Sequence, residues 1–465
     1  TGSQNTAIGY QVLFNNTAGS NTAVGYESLK ANTTGASNVA VGAHALDSNT
    51  TASANVAVGL DALGGNTTGG SNTACGHRAL KSNTTGSSNT ALGSQVLMNT
   101  TASSNTAVGA FAMQNSTTGS HNTAVGLETL KSNQTGTNNA AFGAGALKNN
   151  TSSFNTGIGR HALENNTSGT KNTGVGNLAL LSNTTGSFNT SLGYDALGDN
   201  TTGEKNVAVG SHSLLVNETG SNNTAVGEAA LNQNTASNNT AIGFESLKLN
   251  TTGIKNVAVG SSTLDANIDG ENNTALGHNS LSAATSANSN VAVGYNTLDA
   301  TTTGGGNTAL GANALTSNTT GIRNTAIGQA TLTSNTTAQF SVAIGYRALN
   351  ANTTGMSNVA VGSAALQDNQ TGGSNTAVGR SVLVSNTGDN NTAIGERALF
   401  QNTSGSNNAA FGRRTLYENT TGTQNTAVGA QAGDLTTEGD NNTSIGYQAD
   451  PSSATADNEV TLGNS

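Results

Sequence analysis

Residues 21–37 read NTAVGYESLKANTTGAS, and the same seventeen positions return, lightly edited, from one end of the chain to the other. The fixed beat is the glycine closing NTAVG: Gly9, Gly25, Gly42, Gly59, Gly76, Gly93 and onward to Gly446 and Gly463. Twenty-eight such glycines stand 17 residues apart, except for five intervals of 16 that end at Gly25, Gly109, Gly159, Gly243 and Gly395. In a solenoid each repeat touches only its neighbours, so a period this strict outranks every local signal.

Within a repeat, Asn38-Val39-Ala40-Val41-Gly42 alternates Val39 and Val41 on one face with Asn38 and Ala40 on the other. The outer positions are filled mostly by Thr or Val, then by Val, Ile, Leu, Phe or Cys, all good β-formers, so a short strand is expected. The position between them is Ala, or occasionally Gly157, Gly174 or Ser191, and this restriction to small residues predicts close approach of another backbone. Four residues past each glycine stands a leucine, from Leu13 to Leu416, with Met113 the one exception. Leu29, Leu46, Leu63, Leu80, Leu130 and Leu197, with Val24, Val41 and Val58, are the expected core ladder, and Gly25, Gly42, Gly59 and Gly76 the expected turn glycines. A helix does not fit between two glycine-rich turns, so the leucine belongs on a second short strand or an extended corner, pointing inward. The remaining residues, such as NTTGAS at 32–37, are turn chemistry, where one-residue shortenings are most easily absorbed.

Composition limits the alternatives. Hydrophobic residues make up 34%, aromatics 3% and charged residues 9%, with 60 glycines and one proline, too little apolar bulk for a wide core. Disorder would bring charge and proline, and both are scarce. The net charge of −9 predicts no nucleic-acid surface, and no apolar run is long enough for membrane insertion. Cys75 takes the Val/Ile position of its repeat and is expected to be a small buried hydrophobe. No Met opens the chain, so Thr1 is expected to start a segment or a processed chain.

Stacked copies place Asn over Asn, Thr over Thr and Leu over Leu in parallel ladders, which over all coils predicts a rod about 130 Å long at about 4.8 Å per coil. Burial of three apolar side chains per coil falls several-fold short of the entropy lost in ordering 17 residues, so one coil stack is not expected to stand alone. A homotrimer packed along the small Ala row is the expected solution. Residues 1–433 form the regular repeats. Residues 434–465 are atypical terminal coils, with Gly433 and Asp450 in the leucine position and Pro451 following.

Candidate sites are weak against this background. Five of six histidines (His44, His77, His161, His212 and His278, with His121 apart) follow the beat glycine by one or two residues, and no two share a metal-pair spacing. Six tyrosines follow the glycine directly: Tyr10, Tyr26, Tyr194, Tyr295, Tyr346 and Tyr447. A sugar-contacting row is conceivable there, but exposed variability is the simpler reading. Lys30, Lys81, Lys131, Lys148 and Lys248 share the fifth position with Asp47, Glu164, Asp265 and Asp299, which predicts a solvated edge. The N-x-Thr tripeptides at Asn32, Asn49, Asn66, Asn83 and Asn183 are glycosylation-like, yet a turn ladder requires the same residues. Asp434, Glu438 and Asp440 suggest a capping turn more than a calcium loop. No catalytic constellation, cofactor or metal site is expected, and no enzyme.

The boxes SNVAVG (37–42) and SVAIG (341–345) resemble the head repeats of trimeric autotransporter adhesins, whose usual repeat is shorter and lacks NTTG. The long form, with the closing DNEVTLGNS, is more similar to phage tail fibres that carry a self-cleaving C-terminal chaperone. The resemblance implies an all-β, left-handed parallel β-roll or β-solenoid of 16–17-residue coils, homotrimeric. It also implies a structural fibre segment of an extracellular or virion appendage that supports attachment to a host. A cell-surface carbohydrate or protein receptor would then be a partner, and a gene continuing past Ser465 into a chaperone domain is expected. The alternatives are an adhesin head binding matrix or carbohydrate and, less favoured, an ice-binding solenoid.

Overall fold

The computed structural model describes residues 2–463, and none of them is helical. The protein is an all-β parallel solenoid, with twenty-eight three-residue strands among the described residues, one per repeat. It divides into two compact units, Thr1–Ser237 and Asn238–Ser465. The first holds β1 (Thr6–Ile8), β2 (Thr22–Val24), β3 (Val39–Val41) and so on to β14 (Thr224–Val226); the second runs from β15 (Thr240–Ile242) to β28 (Val460–Leu462). Within each unit, every strand pairs in parallel with the next one in sequence. The register never slips: Thr22 lies beside Val39, Ala23 beside Ala40 and Val24 beside Val41.

One coil explains all of them. The Val39 N–H donates to Asn55 O at 2.8 Å and the Gly42 N–H to Val24 O at 2.8 Å, so the strand is tied to the coil on either side. Gly42 then turns the chain with φ 134°, and a Cβ there would lie 2.5 Å from Gly59 O of the next coil. Only glycine meets both demands. The chain next passes through two left-handed residues, His44 (φ 55°) and Leu46 (φ 53°). The leucine segment is therefore a tight corner, and no second strand forms. A left-handed leucine costs about 1–2 kcal/mol, and Leu46 offsets this by being fully buried and by donating its N–H to Ala62 O at 3.1 Å.

Two asparagines line the other side of the interior. Asn38 Nδ2 donates to Ala52 O, and its Oδ1 accepts the Asn55 N–H, both at 2.9 Å. Asn49 Nδ2 donates to Asn32 Oδ1 at 2.8 Å and to Ala52 O at 3.0 Å. Both residues are fully buried, and the next coil repeats both patterns. A chain poor in apolar bulk thus fills its interior with amides that satisfy one another, since unpaired buried amides would be costly. The one-residue deletions fall in this turn: Asn133 Nδ2 reaches Gly136 O three residues on, but in the shortened coil Asn150 reaches Ser152 O two residues on.

The closing coils keep the ladder. Thr443–Ile445 pairs in register with Val460–Leu462. Gly433, where the leucine is missing, leaves room for the previous coil: a Cβ there would lie 2.7 Å from Leu416 Cδ2.

Candidate interaction face

The direction of the strand side chains corrects one sequence expectation. Leu29, Leu46, Leu63, Leu80, Leu130 and Leu197 are fully buried, and so are the alanines Ala23, Ala40 and Ala57. Val24 is half-buried, whereas Val41 is 37% and Val58 36% exposed, so these valines do not belong to the core of the chain. In a three-residue strand only the middle side chain points inward, and the corner leucine leaves space there only for a small one, Ala in most coils and the buried Ser191 in another. Gly157 shows the limit: a Cβ would sit 3.1 Å from Leu147 Cγ. The small row is small because it faces the chain's own leucines. Being buried inside the coil, it offers no surface for another chain, and the valine row is the one that faces outward.

Each strand therefore presents two outward side chains, as Thr22 and Val24 do, with Tyr26 of the same coil also exposed just past the glycine. Within each unit these residues stack into rows on successive coils. The second row carries Ile8, Val41, Val58, Leu92, Phe142 and Leu192 in the first unit and Ile242, Leu276, Leu310 and Ile394 in the second, all exposed. Cys75 lies in the same row and is exposed, contrary to expectation, for the same reason of alternation. Tyr10 and Tyr26 stack with ring centres 5.3 Å apart, whereas Tyr194 packs edge-on against His212 at 5.2 Å and Tyr295 lies 5.8 Å from His278.

The lysine row is not simply solvated. Residues two and five past the glycine face each other across the corner, so Lys30 meets Glu27 at 2.7 Å, Lys131 meets Glu128 at 2.6 Å and Lys248 meets Glu245 at 2.6 Å. Lys148, one coil on, adds a second contact to Glu128 at 2.8 Å. Hydrogen bonds from Lys131 and then Lys148 hold the Glu128 carboxyl at a pKa of about 2. Asp61 is lowered by its bond to Lys81. Asp47 and Asp265 go the other way because burial disfavours their charged form.

The other candidates resolve into ladder roles. His44 lies between Glu27 and Asp47 at 3.7 and 3.5 Å, and His161 is 2.7 Å from Glu164. Among the described residues no group of three or more His, Cys, Asp or Glu side chains converges as a metal site does. Asp440 Oδ1 accepts the Thr423 N–H at 2.6 Å, the bond that Ser53 Oγ makes with Ala36 N–H at 3.0 Å in an ordinary coil. Asn32, Asn49, Asn66, Asn83 and Asn183 are fully buried with Nδ2 bonded inside, so the folded chain has no room for a glycan on any of them. One row escaped the sequence reading: the residue five before the glycine is left-handed in coil after coil and is mostly Ser or Asn, but reads Phe154, Lys171, Phe188, Lys205 in four successive coils. Aligning the repeats in columns would have exposed it.

A scan against protein-family models gives no match to this chain, and a search of curated proteins gives none either. The fold defines its class, a parallel β-solenoid with an outward apolar sheet face in each unit.

Proposed function

We propose that this chain is a structural segment of an extracellular fibre, left-handed in winding and homotrimeric, that supports attachment of a virion or cell to a surface. The observation that carries the reading is the outward row of Val, Ile, Leu and Phe, repeated on coil after coil and exposed or half-buried in the single chain. Isolated surface hydrophobes need no explanation, but a row at every strand marks an interaction surface. An in-register ladder with its one large apolar row outside gains most by packing identical rows together, because identical chains share the same period along the whole row. Three such faces meeting on an axis bury the strand valines that the coil itself leaves out. The resemblance of the SNVAVG and SVAIG boxes to adhesin head repeats, and of the long repeat with its closing DNEVTLGNS to tail fibres, supports the same assembly. The ice-binding alternative loses support from the turn threonines: Thr33 Oγ1 donates to Thr50 O at 2.9 Å and Thr67 Oγ1 to Thr84 O at 2.9 Å, so these hydroxyls are committed to the ladder.

Light scattering of the native protein combined with thiol labelling tests the proposal. The expected mass is three times 45.9 kDa, with Cys75 protected in the assembly and reactive after dissociation. A folded monomer whose Cys75 labels at the rate of a free thiol would overturn it.

A further inference from the structure

We propose that the corner formed by Phe154, Lys171, Phe188 and Lys205 is a binding site for a linear acidic polysaccharide that carries one carboxylate per disaccharide. It adds a ligand to the attachment role above and rests on that reading for its biological sense, though not for its chemistry.

The four residues occupy one row on four successive coils of the first unit, each with a left-handed backbone: φ 63°, 57°, 61° and 57°. Left-handed geometry suits Asn, Ser or Gly and disfavours a large side chain. The corner leucines offset that cost by burial. Phe154 and Phe188 do not, being 55% and 49% exposed. Neither folding nor local conformation therefore accounts for phenylalanine at these two places, and strain kept without a packing return points to function. Both lysines are exposed, and neither has an ion pair among the described residues. Lys171 Nζ instead lies 4.8 Å from the Phe188 ring centre, which keeps ammonium and ring in one surface.

Spacing selects the ligand. Phe154, Phe188 and Lys205 each donate N–H to the preceding coil at 3.0 Å, so the row is held at the ladder repeat. Ring follows ring, and charge follows charge, every second coil, about 9.6 Å at the usual strand separation. That is the length of one disaccharide in an extended polysaccharide. A pyranose ring lies on each phenylalanine through its C–H face, and the intervening uronate meets a lysine. Three residues upstream in the same turns stand the exposed hydroxyls of Ser168, Thr185 and Thr202, suited to sugar hydroxyls. Single-stranded nucleic acid also stacks on aromatics, but it brings a charge with every nucleotide to a chain of net charge −9. The pairing recurs in the second unit, where the Arg323 guanidinium lies 5.7 Å from the exposed Phe340 ring, on the same row.

The test is calorimetric titration with hyaluronan oligosaccharides, in which glucuronate alternates with N-acetylglucosamine, with dextran and oligo-dT as comparisons. Phe154→Ser with Phe188→Ser restores the residue that the row uses elsewhere, so folding is preserved and checked by thermal melting. The intact chain is expected to bind hyaluronan, losing affinity at high salt. The double serine variant should bind at least about tenfold more weakly, Lys171→Gln with Lys205→Gln should remove the salt dependence, and dextran should not bind. Equal binding by the variants, absence of hyaluronan binding, or tighter binding of oligo-dT would overturn the proposal. Light scattering on the same samples separates the two readings: an intact trimer that ignores hyaluronan defeats this inference alone, and a monomer that binds it defeats only the assembly.

Discussion

Asn49 Nδ2 lies 2.8 Å from Asn32 Oδ1 on the preceding coil, and both residues are fully buried. The amide row built this way breaks where another residue takes the asparagine position. At Ala284 the row stops, and Asn267 Oδ1 one coil earlier is left buried without a partner. Ala284→Asn should therefore stabilise the second unit by about 0.5–1.5 kcal/mol, by giving that oxygen a donor. Asn49→Asp should do the reverse, costing several kcal/mol, because it removes two donated bonds and buries a charge. Chemical denaturation of both variants checks the pair; a destabilised Ala284→Asn would show that the row has no room at that coil.

Leu197→Asp places a charge among fully buried neighbours and should destabilise by several kcal/mol. Lys255→Ser, at an exposed left-handed corner, should leave the melting temperature unchanged. Equal melting of the two variants would refute the inward leucine.

The middle and last residues of one strand should respond oppositely to size. Ala57→Leu overpacks a position that takes only small side chains and should cost at least about 1–3 kcal/mol of folding stability. Val58→Thr keeps shape on the outward face and should fold normally while weakening self-association. Circular dichroism and sedimentation read the two effects separately, and loss of folding in Val58→Thr would contradict the outward assignment.

Two carboxylates predict opposite pH behaviour. Glu128 is held at a pKa of about 2 against an ordinary 4.5, so its contribution is fully present above pH 4.5 and is lost as pH falls toward 2. Glu128→Gln should lower stability at pH 7 by no more than about 1 kcal/mol, since the ion pairs are partly exposed, and the difference should vanish near pH 2. Asp265 is raised by burial, with Glu245 and Asp299 adding to the effect, so its ionisation opposes folding at neutral pH. Asp265→Asn should stabilise at pH 7 and match the parent below the ordinary value of 3.8. Melting curves at pH 7 and at pH 2 compare both pairs, and parallel shifts for the two variants would contradict the assignment.

The sequence by itself determined the coil, its length, the parallel register and the inward leucine, because a residue repeated every 17 positions can satisfy every copy only by lying over itself. It also marked the asparagine turns as ladders. The direction of the strand side chains was decided by tertiary structure alone. Alternation divides Val39 and Val41 from Ala40 but carries no sign. The sign came from the corner, where left-handed Leu46 reaches across the interior and leaves room for Ala40 but not for a valine. The same holds for the ion pairs: Glu27 and Lys30 look like scattered edge charges until the corner folds them to 2.7 Å. Periodicity records which residues stack, and only the closed coil settles which way each stack faces.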